Sequence, residues 1–223
     1  QPRNMIFQKG HIYHVYNQGN NRQDIFYNRE NYLFFLEKMR TYLHPYADIL
    51  AWCLMPNHFH WMLYINEIEL RREEVRMISG GFTLSETLTA PDISETIIKD
   101  FPLKTRTLND SIGILLRSYT RAINISQNLS GSLFRKETKA ECVSCSDGVK
   151  ANFFTTLEGT FIPIPNSEKE YPQVCFNYIH QNPVVAKLVT KAEDWEFSSI
   201  NELQGIGNTK MINKERIKEF GLK

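Results

Sequence analysis

The sequence predicts an α+β fold, a central antiparallel sheet with helices packed on it. Three observations carry that prediction. Residues 11–16, His11-Ile-Tyr-His-Val-Tyr16, are rich in β-branched and aromatic side chains, as a strand requires. Apolar residues then recur close to helical period at Leu33, Phe34, Leu36, Met39 and Leu43. Two more strand-like runs, 48–55 and 58–65, are separated only by Pro56-Asn57. So short a link makes them antiparallel, because a parallel return needs a long crossover. Strand, helix, strand, strand is the first half of a ferredoxin-like sandwich.

Each element has its own boundary signals. The turn-formers of residues 17–21, Asn-Gln-Gly-Asn-Asn, break the first strand, and Pro45 closes the helix that begins near Asn31. The run 48–55 is almost continuously apolar. In 58–65 side chains alternate, so His58, His60, Met62 and Tyr64 share one face while Phe59, Trp61, Leu63 and Ile65 face the core. Residues 66–110 open on charges and then carry Gly80-Gly81, Pro91 and Pro102, the composition of a partly helical insertion. A helix over 110–129 follows, with Ile114, Leu115, Tyr119, Ala122 and Ile123 as its apolar face. Gly131-Ser132 ends it, and Leu133-Phe134 is expected to begin a strand. Residues 142–170 are punctuated by Ser, Gly and Pro and read as a second insertion. A short helix over 171–182 is stopped by Pro183, and an amphipathic segment follows Met211. No internal repeat is evident, and 1–223 is expected to form a single domain.

Composition is that of a globular protein, 42% hydrophobic and 23% charged. No apolar run reaches the 18 or so residues of a membrane span, and the N-terminal stretch lacks a signal-peptide core, so the expectation is a cytoplasmic protein with no membrane partner. A net charge of +1 neither demands nor excludes nucleic acid. Between Ser111 and Glu141, however, Arg117, Arg121, Arg135, Lys136 and Lys139 face only Glu137 and Glu141. Such a stripe can follow a phosphate backbone, or it can be a solvated helix face. Cys142 and Cys145 form one Cys-x-x-Cys pair, but no second pair or suitably spaced His follows to complete a tetrahedral zinc site. These two, with Cys53 and Cys175, are therefore expected as reduced, partly buried thiols.

His58-Phe59-His60 is the sharpest chemical feature. Two imidazoles at same-face positions of a strand sit at a spacing suited to one metal ion, although a half-buried histidine pair reads the same way. After His60 the only histidine is His180, which argues against a zinc hydrolase needing more His ligands. Two nitrogen donors and a remaining demand for oxygen suit octahedral magnesium or manganese, completed by an amide oxygen and substrate phosphate. The segment Phe176-Asn-Tyr178-Ile-His-Gln-Asn182-Pro183 offers that oxygen. Tyr178 and Asn182 are four apart and share a helix face, so Asn182 can give its carbonyl to the ion while Tyr178 presents its phenol. Gln181 is the fallback ligand. A helix ending at Pro183, with Tyr178 packed and Asn182 capping, is the plainer alternative.

These pieces lie in an order that resembles the single-tyrosine HUH transposases, the branch of REP-associated tyrosine transposases and their insertion-sequence relatives. The matching segments are His11-x-Tyr-His-Val-Tyr-Asn-Gln-Gly-Asn-Asn-Arg22, Trp52-Cys-Leu-Met-Pro-Asn-His-Phe-His60, Ser118-Tyr-Thr-Arg121, Gly131-Ser-Leu-Phe134, Tyr178-Ile-His-Gln-Asn-Pro-Val184 and Asp194-Trp-Glu-Phe-Ser-Ser199. They span most of residues 10–200, and the Met-Pro-Asn-His-x-His and Tyr-Ile-x-x-Asn-Pro-Val segments are highly specific in combination. The resemblance implies an HUH endonuclease fold, His58, His60 and Asn182 as ligands of magnesium or manganese, and Tyr178 as nucleophile. It also implies single-stranded DNA beside a hairpin or palindromic repeat as partner, and a nucleoid-associated location. The DNA contacts expected are Arg22, Arg117, Arg121, Arg135 and Lys136. The chain departs from the family at Gln18, where arginine is usual, and in the two long stretches 66–110 and 142–170. Whether it works as a homodimer stays open.

Tyr119, flanked by Arg117 and Arg121, is the competing nucleophile, but position 123 is Ile, so it lacks an amide or carboxylate partner one turn on. Three rival functions share parts of the same site. A water-using metal nuclease would not need Tyr178, a domesticated hairpin-binding protein would have lost cleavage, and a small-molecule metal hydrolase would need further ligands.

Overall fold

The computed structural model describes residues 5–72, 74–75, 104–145, 170–206 and 209–223. Strand β1 (Ile12–Gln18) leads through a 3-10 turn at Asn20–Arg22 into helix α1 (Arg29–Leu43). Strands β2 (Ala47–Met55) and β3 (His58–Ile65) follow as a tight hairpin. A two-stranded stem of β4 (Glu69–Arg71) and β5 (Thr105–Thr107) precedes helix α2 (Leu108–Gln127). Strand β6 (Lys139–Cys142), helix α3 (Tyr171–Val185) and two short helices, α4 (Ile200–Leu203) and α5 (Lys214–Glu219), complete the order.

The main sheet runs β2-β3-β1-β6, and all three pairings are antiparallel. Its two faces bury different cores. Tyr13, Val15, Phe59, Trp61, Leu63 and Ile65 belong to a core shared with α1 and α2. Ile12, Ala51, Cys53, Met55 and Met62 belong to a second core shared with Cys175, Phe176 and Ile179 of α3. Period-two alternation therefore assigns each residue of β3 to one core or the other.

Several boundaries differ from the sequence reading for local reasons. Helix α1 starts earlier, because the Asn28 side chain accepts from Asn31 N at 3.0 Å and caps it. Its buried stripe is Tyr32, Phe35, Leu36, Met39 and Leu43, while Leu33 lies exposed, one step round the helix. Helix α2 starts at Leu108 because Thr107 and Asp110 form a reciprocal capping box. It ends at Asn128, which is left-handed at φ 53°, not at Gly131. Leu133 and Phe134 are buried core anchors with a single bridge, Gly19↔Phe134, so the strand begins only at Lys139. Pro183 does not stop α3, which continues to Val185. The predicted insertions 66–110 and 142–170 lie mostly outside the described residues. What is described of the first is its stem, Glu69↔Thr107 to Arg71↔Thr105.

The outer edge of β2 is covered by the chain's last segment. Leu54 N donates to Phe197 O, Ser199 N to Trp52 O and Asn213 N to Ile49 O, and the Trp195 indole donates to Leu54 O at 3.0 Å. The buried Glu202 carboxylate accepts from Met211 N at 3.0 Å and holds this segment to α4. Cys53 and Cys175 are free and fully buried. Cys142 and Cys145 are joined as a disulfide, contrary to the expectation of free thiols.

Candidate active site

The β2–β3 turn is the base of the site. Pro56 O accepts from Ile25 N and Phe26 N, and Asn57 O accepts from Gly19 N at 2.8 Å. Gly19 is required there, since a Cβ would stand 2.1 Å from the Gln23 carbonyl oxygen. Asn57 Nδ2 donates to Arg22 O at 3.2 Å, which turns Asn57 Oδ1 toward His58. His58 Nδ1 then donates to that oxygen at 2.6 Å.

A neutral imidazole carries one proton, so this bond leaves a lone pair on His58 Nε2. That nitrogen faces Asn182 Oδ1 at 3.3 Å. The Asn182 amide is itself oriented, since its Nδ2 donates to Tyr178 O at 3.4 Å. Burial pushes the His58 pKa down, and the hydrogen bond with Asn182 pulls it partly back. His60 Nδ1 pairs with His14 Nε2 at 2.9 Å, and His60 Nε2 is buried with no hydrogen-bond partner. Burial first, then the neighbouring His58 and His14, hold the His60 pKa well below the usual histidine range. The rings of His58 and His60 are 5.0 Å apart, edge to face. His58 Nε2 and Asn182 Oδ1 thus meet, and the adjacent His60 ring carries a buried nitrogen with no hydrogen-bond partner, so two nitrogens and one oxygen are candidate ligand atoms. That donor set fits a divalent cation of intermediate hardness.

Tyr178 sits one helical turn before Asn182 on α3 and lies edge-on to His60, with ring centroids 5.4 Å apart. Burial raises its phenol pKa, and a hydrogen bond with the Asn182 side chain pulls it back. Gln181, the fallback ligand, is exposed. His180 is buried on the far side, 2.8 Å from Ser199 Oγ. Tyr119 is fully buried on the other face of the sheet, where its hydroxyl donates to Ile25 O at 2.7 Å. It is a core residue.

No family model matches the chain, and no curated protein matches it. Among solved structures it is similar to one described as a REP-associated tyrosine transposase bound to a REP hairpin. The TM-score is 0.49 and the identity 15%, covering 94% of this chain and 89% of that one. A likeness of that degree assigns no residue.

The expected DNA contacts divide. Arg117, Arg121, Arg135 and Lys136 line one groove of about 1050 Å³, together with Ile125 and Leu129. The groove lies between α2 and the segment leading to β6, on the α1–α2 side of the sheet. None of His58, His60, Tyr178 or Asn182 lines it; Asn17, which does, donates to Arg135 O at 3.2 Å and precedes Gln18, the register partner of His58. Arg22 does not line this groove. It stands in the turn at φ 60° and contributes its carbonyl to Asn57.

Sequence reading missed His14, Tyr16 and Asn57. His14 orients His60, and Tyr16 donates to Glu141 Oε1 at 2.7 Å beside it. A signal existed, since His14 and Tyr16 alternate on one strand face just as His58 and His60 do.

Proposed function

We propose that this chain cuts and rejoins single-stranded DNA beside a hairpin, with Tyr178 as nucleophile. His58, His60 and Asn182 would hold magnesium or manganese, leaving other positions for water and phosphate oxygens. The observation that supports this reading best is the meeting of His58 Nε2 and Asn182 Oδ1 at 3.3 Å, beside a His60 ring whose buried Nε2 has no hydrogen-bond partner and which lies against the Tyr178 ring. The scaffold reading is a ferredoxin-like sandwich, β1-α1-β2-β3-α2-β6 with β1 between β3 and β6, to which α3 adds the nucleophile from the opposite face.

The ion, when bound, supplies positive charge that polarises the scissile phosphate and stabilises the leaving 3′-oxygen. Asn57 and His14 fix the ring orientations of His58 and His60, the support that ligand histidines generally need. Asn182 touches both His58 and the phenol, so it can hold the Tyr178 oxygen in line as its proton leaves. Tyr178 Oη attacks the phosphorus and the bond to the 3′-oxygen breaks. The 5′-phosphate stays on tyrosine, and the freed 3′-hydroxyl remains available for rejoining without ATP. The Arg117–Arg121–Arg135–Lys136 groove would carry the flanking backbone.

The test is denaturing electrophoresis of labelled single-stranded hairpin DNA with manganese. Wild type should give a covalent protein–DNA adduct and a cut strand. Tyr178→Phe should still bind the hairpin but give neither product. Cutting without an adduct in both proteins would make the chain a water-using nuclease. Binding with neither product in wild type would make it a hairpin-binding protein that does not cleave.

A further inference from the structure

A second ligand cluster lies at the opposite end of β1. His11, Cys142 and Cys145 each place a ligand atom within 4.8 Å of the other two. No suitably spaced histidine follows the Cys-x-x-Cys pair, but β1–β6 pairing supplies one from upstream, with His11 and Cys145 lying 134 residues apart. We propose that the reduced protein binds one zinc ion through His11 Nδ1, Cys142 Sγ and Cys145 Sγ, and that the disulfide is the oxidised form of the same site.

Geometry carries the inference. Zinc holds nitrogen at about 2.0 Å and sulfur at about 2.3 Å in tetrahedral sites, which makes the N···S edge about 3.5 Å. His11 Nδ1 and Cys145 Sγ are 3.6 Å apart. The loop between the cysteines is already pinned. Val143 N donates to Ile12 O at 2.8 Å, Ile12 N donates to Ser144 Oγ at 2.9 Å, and the Val143 side chain is fully buried in the second core. On the other side, Ile65 N donates to His11 O at 3.0 Å and fixes the histidine backbone. All three side chains are half-buried, so an ion can reach them and a fourth position stays open to water.

The two forms exclude each other. A dithiol reductant delivers two electrons and two protons to the Cys142–Cys145 bond, and zinc then displaces both thiol protons to form two Zn–S bonds. The disulfide encloses only two residues, Val143 and Ser144, and restrains little, whereas zinc would tie the start of β1 to the end of β6.

Cobalt(II) reports this site without reference to DNA cleavage, because thiolate ligation gives a sulfur-to-cobalt charge-transfer band that the His58–His60–Asn182 set cannot give. Reduced, metal-stripped protein should take up one equivalent with that band, and zinc should abolish it. Oxidation with diamide should remove the band as two thiols disappear. Cys142→Ser/Cys145→Ser should never show it. His11→Ala keeps both sulfurs and should bind more than about tenfold more weakly, beyond what loss of an outer partner costs. The proposal fails if reduced wild type shows no band, if the double serine variant keeps it, if His11→Ala binds as tightly as wild type, or if the band survives complete oxidation of the pair. Should the serine variant not fold, His11→Ala and the oxidised wild type still decide.

Discussion

Tyr119→Phe separates the two tyrosines that sequence reading set against each other. The ring sits among Phe26, Phe34, Phe35 and Phe134, with the nearest centroid, that of Phe35, at 4.8 Å. All of those contacts survive the substitution. What is lost is one 2.7 Å hydrogen bond to the Ile25 carbonyl, between groups the structure buries completely. Removing one partner of a buried neutral pair costs about 1–3 kcal/mol. For a chain of this length each kcal/mol moves the midpoint by roughly 2–4 °C, so Tm should fall by about 2–12 °C. Urea unfolding should show a lower midpoint with an unchanged m-value, since the surface exposed on unfolding does not change. Adduct formation on hairpin DNA should persist below the new midpoint. A Tyr119→Phe protein as stable as wild type, or one that is stable but forms no adduct, would refute this account of Tyr119.

Three further outcomes follow from the same structure. Alanine at His58 or His60 should sharply weaken manganese binding in calorimetric titration while the fold survives; a His60→Ala isotherm matching wild type would exclude that site. Replacing Arg117 and Arg121 together by alanine should lower hairpin affinity and flatten its dependence on log salt by roughly 0.7–0.9 per lost phosphate contact, with no change in slope arguing that the groove does not carry DNA. Stability should fall on acidification. Burial lowers the pKa of His180 to about 4 and of His14 to about 3, from 6.5, so the unfolded chain binds more protons below 6.5. Each should therefore add up to about 1.4 kcal/mol of destabilisation per pH unit between 6.5 and its folded value. His180→Gln should lessen that slope in urea titrations from pH 7 to 4.5, and an unchanged slope would count against it.

The parts legible in the sequence are those governed by local rules. The β2–β3 hairpin follows from an apolar run, a two-residue turn and strict alternation, and His58–Ile65 has the bounds read from sequence. Tyr178 and Asn182 share a face because the helix repeat says so. What escaped needed contacts distant in sequence. His14 and His60 meet only through the β1–β3 register, and His11 reaches Cys145 only through β1–β6. Arg22 is expected as a DNA contact through its side chain, and the further role of its carbonyl, positioning Asn57 through a turn with positive φ, has no local signal. Pro183 misled in another way. A proline in the last turn removes one N–H, but Ala186 N still closes on Asn182 O at 3.0 Å, so the helix outlives it.

The cover over the β2 edge also sets a schedule for synthesis. Residues 47–55 emerge early and carry an almost wholly buried apolar strand, yet the groups that pair with its outer edge, in residues 195–213, arrive near the end of the chain. At 5–20 residues per second the nascent sheet waits on the order of ten seconds with that edge open. An open apolar edge is a template for any other strand, including the same strand on a neighbouring ribosome. Chains that stop before residue 195 would keep that edge bare for good, so ribosome stalling or early stop codons should yield insoluble protein, and slower translation of the middle of the gene should lower soluble yield even though every folded-state contact is intact.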